Sequence, residues 1–237
     1  MALLAGGLGT RLGPAAERLP KALVPVADRP FIDHQLELLR RRGVRRVVLC
    51  LGHLGAAVEE HLGSGAGFGL ALQYSHDGDR LLGTGGALRR AAPLLGPVFW
   101  VLYGDSLTDV DLSALLAAFD GTDAWGLMTV LRNEGRWDRS NVLYRDGQLL
   151  RYDKRSPSPD MVHIDYGVTL LRQEALLRIP PEGPYDLADL YRGLVDEGRM
   201  IGCEVTRRFY EIGSPEGLEE TRAYFSRRTA ARGEDSR

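Results

Sequence analysis

Three glycines lie close together near the start of the chain, at Gly6, Gly7 and Gly9, directly after the apolar run of residues 1–5. Glycine adopts positive φ values without a steric penalty, so several neighbouring backbone N–H groups can point toward one place. Such an arrangement binds phosphate oxygens, and the guanidinium of the nearby Arg11 suits the same ligand. The spacing therefore predicts a phosphate-binding loop at the end of a strand.

This loop matches neither of two common phosphate-binding motifs. A dinucleotide fingerprint requires a third glycine where the chain has Leu12, and Gly13 comes one residue late. A P-loop requires a glycine and a lysine followed by serine or threonine, and the sequence contains no such triplet. The pattern disfavours a Rossmann-type dehydrogenase and indicates a phosphate loop of another kind.

Further residues suited to nucleotide chemistry follow. Lys21 lies in the segment PKALVPV, whose prolines favour a rigid, extended backbone. In the segment LGTGGA at residues 82–87, Gly85 and Gly86 have no Cβ to keep a flat base or sugar away. Asp105 follows an apolar run, and a carboxylate at the end of a buried strand can hold Mg²⁺ near phosphates. Each feature also has an ordinary structural interpretation, as a surface lysine, a tight turn or a helix cap.

The elements that must position these groups alternate along the first half of the chain. Predicted strands cover residues 1–5, 47–51, 70–75 and 98–103, and predicted helices cover residues 29–44, 56–62 and 84–95. This alternation predicts a mainly parallel sheet with helices on both faces. Ligands of such a sheet bind beyond the carboxyl ends of its strands, where the first glycine loop and Asp105 are both expected.

After about residue 124 strands predominate. Predicted strands cover residues 125–132, 141–145, 148–152 and 162–171, with the turn Asp146-Gly147 joining the second and third of them. Predicted helices cover residues 185–197 and a last segment that begins at Ser214-Pro215. We expect a single domain over residues 1–232, made of the parts 1–123, 124–213 and a C-terminal helix at 214–232.

Composition excludes several classes of protein. Among 237 residues, 44% are hydrophobic and 26% are charged, values of a globular chain rather than a disordered or collagen-like one. The net charge of −2 lacks the excess of positive charge that is typical of nucleic-acid-binding proteins. The apolar runs are too short to cross a bilayer. No signal peptide opens the sequence, and two cysteines, Cys50 and Cys203, suit a reducing compartment. We expect a cytoplasmic protein with no nucleic-acid or membrane partner, and the sequence leaves open whether it forms homo-oligomers.

Together the segments resemble the signature of the sugar-1-phosphate nucleotidyltransferases, or nucleoside-diphosphate-sugar pyrophosphorylases. That signature reads Gly-Gly-x-Gly-Thr-Arg-Leu and then Pro-Lys-x-Leu-x-Pro-Val, and the chain has GGLGTRL at residues 6–12 and PKALVPV at residues 20–26. The resemblance implies an α/β fold, the nucleotide-diphospho-sugar transferase fold, with a Rossmann-like mixed, mainly parallel sheet flanked by helices. It also implies that residues 1–123 bind the nucleotide and that residues 124–213 form a smaller sugar-binding β subregion.

The resemblance also implies roles for residues in the matching motifs. Arg11 would stabilise the departing pyrophosphate, and Lys21 would bind phosphate oxygens across the reaction centre. Gly85 and Gly86 would lie against the base or ribose, and Asp105 would hold the catalytic Mg²⁺. The nucleotide's phosphates would be bound by the first glycine segment, namely Ala5, Gly6, Gly7, Gly9 and Thr10.

In the second half of the chain, the resemblance implies residues that bind the sugar and a second metal ligand. Lys154 stands in the family's Glu-Lys pair and would grip the sugar's phosphate, with Asp153 in place of the glutamate. Where many members have Asn-Ala-Gly on a sugar-facing strand, this chain has Asp165, Tyr166 and Gly167. Glu211 replaces the aspartate of the family's Asp-x-Gly-Thr-Pro, the second metal ligand, and is a departure from that pattern.

The implied reaction is a Mg²⁺-dependent transfer of a nucleoside monophosphate from a nucleoside triphosphate to a sugar 1-phosphate, with release of pyrophosphate. The loop LGTGGA and the compact chain most resemble heptose 1-phosphate guanylyltransferases, so we expect GTP with a heptose- or mannose-type sugar 1-phosphate. Two alternatives stay open. One is a uridylyl- or thymidylyltransferase acting on N-acetylmuramate or glucose 1-phosphate, and the other is a non-catalytic, sugar-nucleotide-binding regulatory subunit.

Overall fold

A computed structural model describes residues 1–7, 9 and 19–234, with side chains as far as residue 227. The strands are Ala2–Leu4 (β1), Pro25–Val26 (β2), Arg29–Pro30 (β3), Arg46–Leu51 (β4), Ala71–His76 (β5), Val98–Tyr103 (β6), Ser106–Leu107 (β7), Gly126–Arg132 (β8), Val142–Arg145 (β9), Gln148–Tyr152 (β10), His163–Arg172 (β11), Met200–Val205 (β12) and Tyr210–Glu211 (β13). The helices are Phe31–Arg41 (α1), Gly55–Leu62 (α2), Gly83–Arg90 (α3), Leu112–Phe119 (α4), Leu187–Asp196 (α5) and Pro215–Glu234 (α6).

One mixed sheet organises the described part of the chain. Its strands follow the order β10-β9-β11-β6-β1-β4-β5, and β8 and β12 extend it from β11. Strands β6, β1, β4 and β5 run parallel to one another, whereas β11 runs antiparallel to β6 and β8. The predicted fold class, a mainly parallel sheet flanked by helices, is confirmed.

Helices cover both faces of the sheet because the central strands are apolar on both sides. Strand β4 buries five consecutive residues, as expected for a strand between two layers of helices. In β1, Ala2 and Leu4 pack with α3 and α5 on one face. Leu3 points the other way and packs with α1, α2 and α4. The result is a three-layer arrangement with the carboxyl ends of the parallel strands at one edge.

Some boundaries differ from the sequence prediction. The helix expected over residues 29–44 ends at Arg41, because Gly43 has a φ of +87° that a helix cannot continue. The helix expected over residues 84–95 ends at Arg90, and Pro93, which has no N–H to donate, lies in a short 3₁₀ turn. Helix α4 and strand β12 were not predicted.

The sheet continues across the expected boundary at residue 124. Strand β11 pairs with β6 from Val168 to Arg172, and it also pairs with β8 on its other side. Two short antiparallel ribbons, β2–β3 and β7–β13, lie outside the sheet. The division of the domain into nucleotide- and sugar-binding parts stays a prediction.

Candidate functional site

A cavity of about 380 Å³ lies at the carboxyl ends of β6, β1, β4 and β5. This is the edge of the sheet where ligands of α/β proteins bind. Its floor and walls come from both glycine segments, from strand ends and from charged side chains. The lining residues include Ala5, Gly6, Gly7, Gly9, Lys21, Cys50, Asp77, Leu81, Gly83, Thr84, Ala87, Tyr103, Gly104, Asp105 and Gly213.

Lys21 and Asp105 meet at the β6 end of this cavity. Lys21 Nζ donates a hydrogen bond to Asp105 Oδ2 at 2.7 Å, although the residues are 84 positions apart. The Lys21 and Asp105 side chains are 13% and 30% exposed, so the pair is sheltered but reachable. The side-chain amide of Gln35 donates to the backbone oxygens of Tyr103 and Ser106, which fixes the chain on either side of Asp105.

The first glycine loop packs closely against the end of β4. A Cβ on Gly6 would lie only 2.8 Å from Gly52 N, so a larger residue at this position would push the two loops apart. Gly9 has a φ of +66°, in the left-handed region that favours glycine. Ala5, Gly6, Gly7 and Gly9 all line the cavity, where the sequence predicted the nucleotide's phosphates. Thr10 and Arg11 lie outside the described residues, and their roles stay predictions.

The second glycine loop lines the cavity with other residues than expected. Gly83, Thr84 and Ala87 face the cavity, while Gly85 and Gly86 lie against Tyr185. Gly85 N donates to Tyr185 O at 2.9 Å, and a Cβ on Gly85 would lie 2.8 Å from the Tyr185 ring. These two glycines therefore permit the close approach of a segment about 100 residues further on, which the local sequence could not reveal.

Glu211 lies beside the Asp105 segment through the ribbon β7–β13, where it pairs with Ser106. Its carboxylate accepts hydrogen bonds from Gly213 N and, at 2.5 Å, from Ser214 Oγ. Both donors belong to the turn that starts α6, so this carboxylate caps the entry to the helix. Within residues 1–7, 9 and 19–234, no three histidine, cysteine or carboxylate side chains gather as a preformed metal site.

Lys154 and Asp165 form the polar centre of the predicted sugar-binding part. Lys154 Nζ lies 3.6 Å from Asp165 Oδ2 and 5.2 Å from the centre of the Tyr103 ring. Asp165 is held in place by Tyr152 Oη, which donates to Oδ2 at 3.2 Å, and by Gly167 N, which donates to Oδ1 at 3.0 Å. Tyr103 also lines the cavity at the strand ends, so it joins the two parts of the candidate site.

Asp153 and Tyr166 have structural contacts in this arrangement. The Asp153 carboxylate accepts from the backbone N–H groups of Arg155 and Ser156, each at 2.9 Å. The bond from Ser156 is the main reason that the pKa of Asp153 lies below its ordinary value. Tyr166 is 1% exposed and packs edge-on against Phe209, on the opposite face of the sheet from Tyr152.

Three further cavity residues that the sequence analysis did not assign to the site have polar side chains. Tyr103 and Cys50 lie near the ends of β6 and β4, and Asp77 directly follows β5, so each occupies a position where strand ends meet ligands. Burial, and then the nearby Asp77, raise the pKa of the Cys50 thiol to about 12. Burial, reinforced by Asp165, Asp186 and Asp105, raises the pKa of Tyr103 well above its ordinary value, so its hydroxyl stays protonated.

None of the helices in the described part of the chain combines the length and the apolar character that a bilayer crossing needs.

Residues 2–138 match the family described as "Nucleotidyl transferase". The chain is 34% identical to a D-glycero-alpha-D-manno-heptose 1-phosphate guanylyltransferase of Campylobacter jejuni, over 90% of this chain and 94% of that protein. It is 30% identical to an N-acetylmuramate alpha-1-phosphate uridylyltransferase of Caulobacter vibrioides, over 90% and 91% of the two chains.

Longer relatives share the same region. The chain is 29% identical to a UTP–glucose-1-phosphate uridylyltransferase of Synechocystis over 83% of its own length, and it spans about half (55%) of that protein. Among solved structures, HddC from Yersinia pseudotuberculosis complexed with GMP-PN superposes with a TM-score of 0.75 at 21% identity, covering 94% of this chain and 98% of that one. The superposition shows a shared fold. The chain therefore belongs to the nucleotidyl transferase family, and within it to the sugar-1-phosphate nucleotidyltransferases.

Proposed function

We propose that the cavity at the ends of β6, β1, β4 and β5 is the active site of this nucleotidyl transfer, with GTP and a heptose- or mannose-type sugar 1-phosphate as substrates. The observation that carries the proposal is the Lys21–Asp105 pair at 2.7 Å, at one end of a glycine-lined cavity. It provides an ammonium for phosphate oxygens and a carboxylate for a cation at one point. Backbone groups of Gly6, Gly7 and Gly9 bind the phosphates beside it.

The reaction joins two anions, so positive charge is the main requirement. Lys21 offsets negative charge on the triphosphate, and Lys154 offsets negative charge on the phosphate of the sugar. Arg11, one residue beyond Thr10 in the signature, assists the departing pyrophosphate. Positioning and charge stabilisation of this kind account for most of the catalysis in phosphoryl transfer.

No general base is needed. The second pKa of a phosphate monoester is about 6, so a sugar 1-phosphate is largely dianionic at neutral pH. One of its oxygens attacks the α-phosphorus of the nucleoside triphosphate, and the bond from that phosphorus to the bridging oxygen of pyrophosphate breaks. Lys21 binds oxygens on both sides of the reaction centre.

The residues at Asp105 fit a divalent cation. The carboxylate is a hard oxygen donor of the kind that Mg²⁺ prefers, and it already faces the positive charge of Lys21. Glu211 is the second ligand that we propose. Each of its oxygens accepts one hydrogen bond, but a carboxylate offers about four acceptor sites, so lone pairs remain. When bound, Mg²⁺ neutralises the phosphates and polarises the α-phosphorus.

The sugar binds near Lys154 and Asp165. Asp165 orients Lys154 by their contact at 3.6 Å, and its own position is fixed by Tyr152 and Gly167. The protonated hydroxyl of Tyr103 offers a hydrogen bond to the sugar or its phosphate at the junction with the nucleotide cavity. Asp153 and Tyr166 contribute indirectly, by shaping the 153–156 turn and the core beneath the strand.

The choice of substrates is supported by the relative of highest identity among those described above, the heptose 1-phosphate guanylyltransferase at 34%. The second candidate pair is UTP with N-acetylmuramate 1-phosphate, favoured by the 30% identical uridylyltransferase that also matches almost end to end.

A substrate panel tests the proposal. Pyrophosphate release is measured with Mg²⁺ while ATP, CTP, GTP, UTP and dTTP are crossed with heptose, mannose, glucose and N-acetylmuramate 1-phosphates. The proposal predicts the highest kcat/KM for GTP with a heptose or mannose phosphate. Release only with UTP and N-acetylmuramate 1-phosphate would favour the second candidate. A folded protein that binds nucleotide but releases no pyrophosphate across the panel would instead fit a regulatory subunit.

A further inference from the structure

The cavity extends along the edge of the sheet, with a carboxylate at each end. Asp105 follows β6, and Asp77 follows β5, with β1 and β4 between them. Three inter-strand spacings separate these ends by about 14 Å. If the phosphates lie at Lys21 and Asp105, as the proposed function requires, the base of the nucleotide lies toward Asp77.

Asp77 is a buried carboxylate in the wall of this cavity. The residue is 7% exposed, and the cavity wall beside it includes Gly6, Gly7 and the apolar side chain of Leu81. Asp77 Oδ2 accepts a hydrogen bond from Leu82 N at 3.0 Å. Arg90 Nη1 donates to the Asp77 backbone oxygen at 3.0 Å, which holds the residue in place.

The second oxygen of this carboxylate has acceptor capacity left. Within the described part of the chain, no hydrogen bond reaches Asp77 Oδ1, and Oδ2 accepts only one. Burial raises the pKa of Asp77, while the Leu82 N–H and Arg90 act in the opposite direction. A carboxylate that is sheltered from water and short of donors is completed by a ligand with N–H groups.

Guanine is the common base whose edge best matches this acceptor. Its N1–H and N2 amino groups are neighbouring donors that one carboxylate can accept together. Uracil and thymine present a single N–H between two carbonyl oxygens, which a carboxylate repels. Adenine and cytosine present one amino donor beside a ring nitrogen that accepts. A mismatched base would leave a buried acceptor unpaired, which is costly and therefore selective.

We propose that Asp77 selects guanine by accepting hydrogen bonds from N1–H and the N2 amino group, with the base packed against Leu81. The inference deepens the proposed function, on which the orientation of the nucleotide rests. It assigns the choice between GTP and UTP to one side chain outside the catalytic pair.

The variant Asp77→Asn tests this assignment, because the hydrogen bond from Leu82 N fixes which way the new amide group points. An asparagine keeps that bond through its side-chain oxygen and turns its amino group toward the base. Guanine donors then face a donor, whereas a uracil carbonyl finds a partner. Since burial raises the pKa of Asp77, its ionised form is disfavoured in the folded state. We therefore expect a neutral asparagine to leave the melting temperature unchanged or higher.

The experiment uses the full chain with Mg²⁺ and no sugar 1-phosphate, and isothermal titration calorimetry with GTP, ITP and UTP. ITP has hypoxanthine, which keeps N1–H but has no N2 amino group. We expect the protein to bind GTP about 10-fold or more tightly than ITP, the scale of one hydrogen bond to a charged group. Asp77→Asn should weaken GTP binding by about 10- to 100-fold and bring the GTP and ITP affinities together. UTP binding should not weaken.

Asp79→Asn is the matched control. Asp79 lies two residues further along the same loop and is exposed, so this variant should keep the preference for GTP. The assignment is overturned if Asp77→Asn keeps the preference for GTP over ITP, or if the unmodified chain binds UTP as tightly as GTP. Because binding is measured without turnover, a lack of pyrophosphate release would contradict the proposed function and leave this result readable by itself.

Discussion

Lys21 and Asp105 contact each other, and in the proposed reaction they bind ligands of opposite charge. Lys21 binds the phosphates and Asp105 binds the cation. In the free chain each neutralises the other at 2.7 Å. In the proposed reaction the ammonium of Lys21 would bind phosphate oxygens and the carboxylate of Asp105 would hold Mg²⁺, so neither charge would be left unpaired. The pair therefore keeps a charged site stable in the absence of substrate, where an isolated buried charge would be costly.

Replacement of Lys21 by methionine keeps the length of the side chain and removes its charge. We expect kcat to fall about 100-fold or more, the scale of losing one preorganised charge-stabilising donor. Steady-state pyrophosphate release measures it. Arg178→Met is the control, since Arg178 lies on the surface paired with Glu197 and lines none of the candidate cavity. A nearly normal rate for Lys21→Met would contradict the role of Lys21.

Asp105→Asn tests the cation site separately. The amide keeps the size of the side chain but is a weak ligand for Mg²⁺, so we expect the Mg²⁺-dependent rate to fall about 100-fold or more. Asp146→Asn makes the same chemical change at the exposed hairpin turn, where the φ of +50° also suits asparagine, and should leave the rate unaltered. Full activity of Asp105→Asn at ordinary Mg²⁺ concentrations would reduce Asp105 to a structural residue.

At the scale of elements, two short segments hold the site in shape. The Tyr185 backbone lies against the start of α3, where Gly85 N donates to Tyr185 O and Tyr185 N donates to Leu82 O. On the other side, the ribbon β7–β13 brings Glu211 beside the Asp105 segment. Both contacts join segments that are far apart in the sequence. In both, hydrogen bonds between backbone atoms hold the site residues in position.

The contact between the Tyr185 backbone and the start of α3 should be most sensitive to substitution at Gly83. Its φ is +70°, and a Cβ would lie 2.7 Å from Tyr185 O, a backbone atom that cannot move aside easily. We expect Gly83→Ala to lower the free energy of unfolding by more than about 1 kcal/mol, as measured by urea denaturation. Gly193→Ala is the control, because a Cβ on Gly193 in α5 meets open space and should be neutral or stabilising. Equal stability of the two variants would refute the account of this contact.

Glu211→Gln separates the helix cap from the metal ligand. Glutamine still offers an oxygen to Gly213 N or Ser214 Oγ, but it has lost the charge that attracts Mg²⁺. We expect a half-saturating Mg²⁺ concentration about 10-fold higher or more, with little change in stability. Asp111→Ala is the comparison, because it removes a different helix cap, the carboxylate that accepts from Ser113 N and Ala114 N at the start of α4. It should cost about 1 kcal/mol of the free energy of unfolding without changing the Mg²⁺ requirement. A Mg²⁺ dependence that Glu211→Gln does not alter would leave Glu211 as a cap alone.

At the scale of the whole molecule, one sheet carries the cavity and the predicted sugar-binding strands. The apolar runs at residues 47–51 and 98–103 predicted β4 and β6 closely, because strands buried on both faces leave a continuous signal. The first glycine loop, Lys21 and Asp105 were likewise found from local motifs, and the structure brings all of them except the undescribed Thr10 and Arg11 around one cavity.

Other features depend on contacts that the local sequence does not contain. The sequence predicted that Gly85 and Gly86 face the ligand, but Tyr185, about 100 residues further along the chain, packs against them. Glu211 replaces the aspartate of a family metal-ligand motif, but only the pairing of β13 with β7, about 100 residues earlier in the chain, brings it beside the Asp105 segment. Asp77 lies in a polar loop that resembles any surface turn, and only the packing of β5 beside β4 buries it in the cavity wall.

The proposed reaction of this protein is the attack of a sugar 1-phosphate on the α-phosphorus of a nucleoside triphosphate. The most direct measurement is ³¹P NMR of GTP, Mg²⁺ and a heptose or mannose 1-phosphate labelled with ¹⁸O in its non-bridging oxygens. We expect all of the label to stay in the nucleotide sugar, where one labelled oxygen bridges the two phosphorus atoms, and we expect the pyrophosphate to be unlabelled. Label in the pyrophosphate, or formation of GDP and orthophosphate instead of a nucleotide sugar, would contradict it.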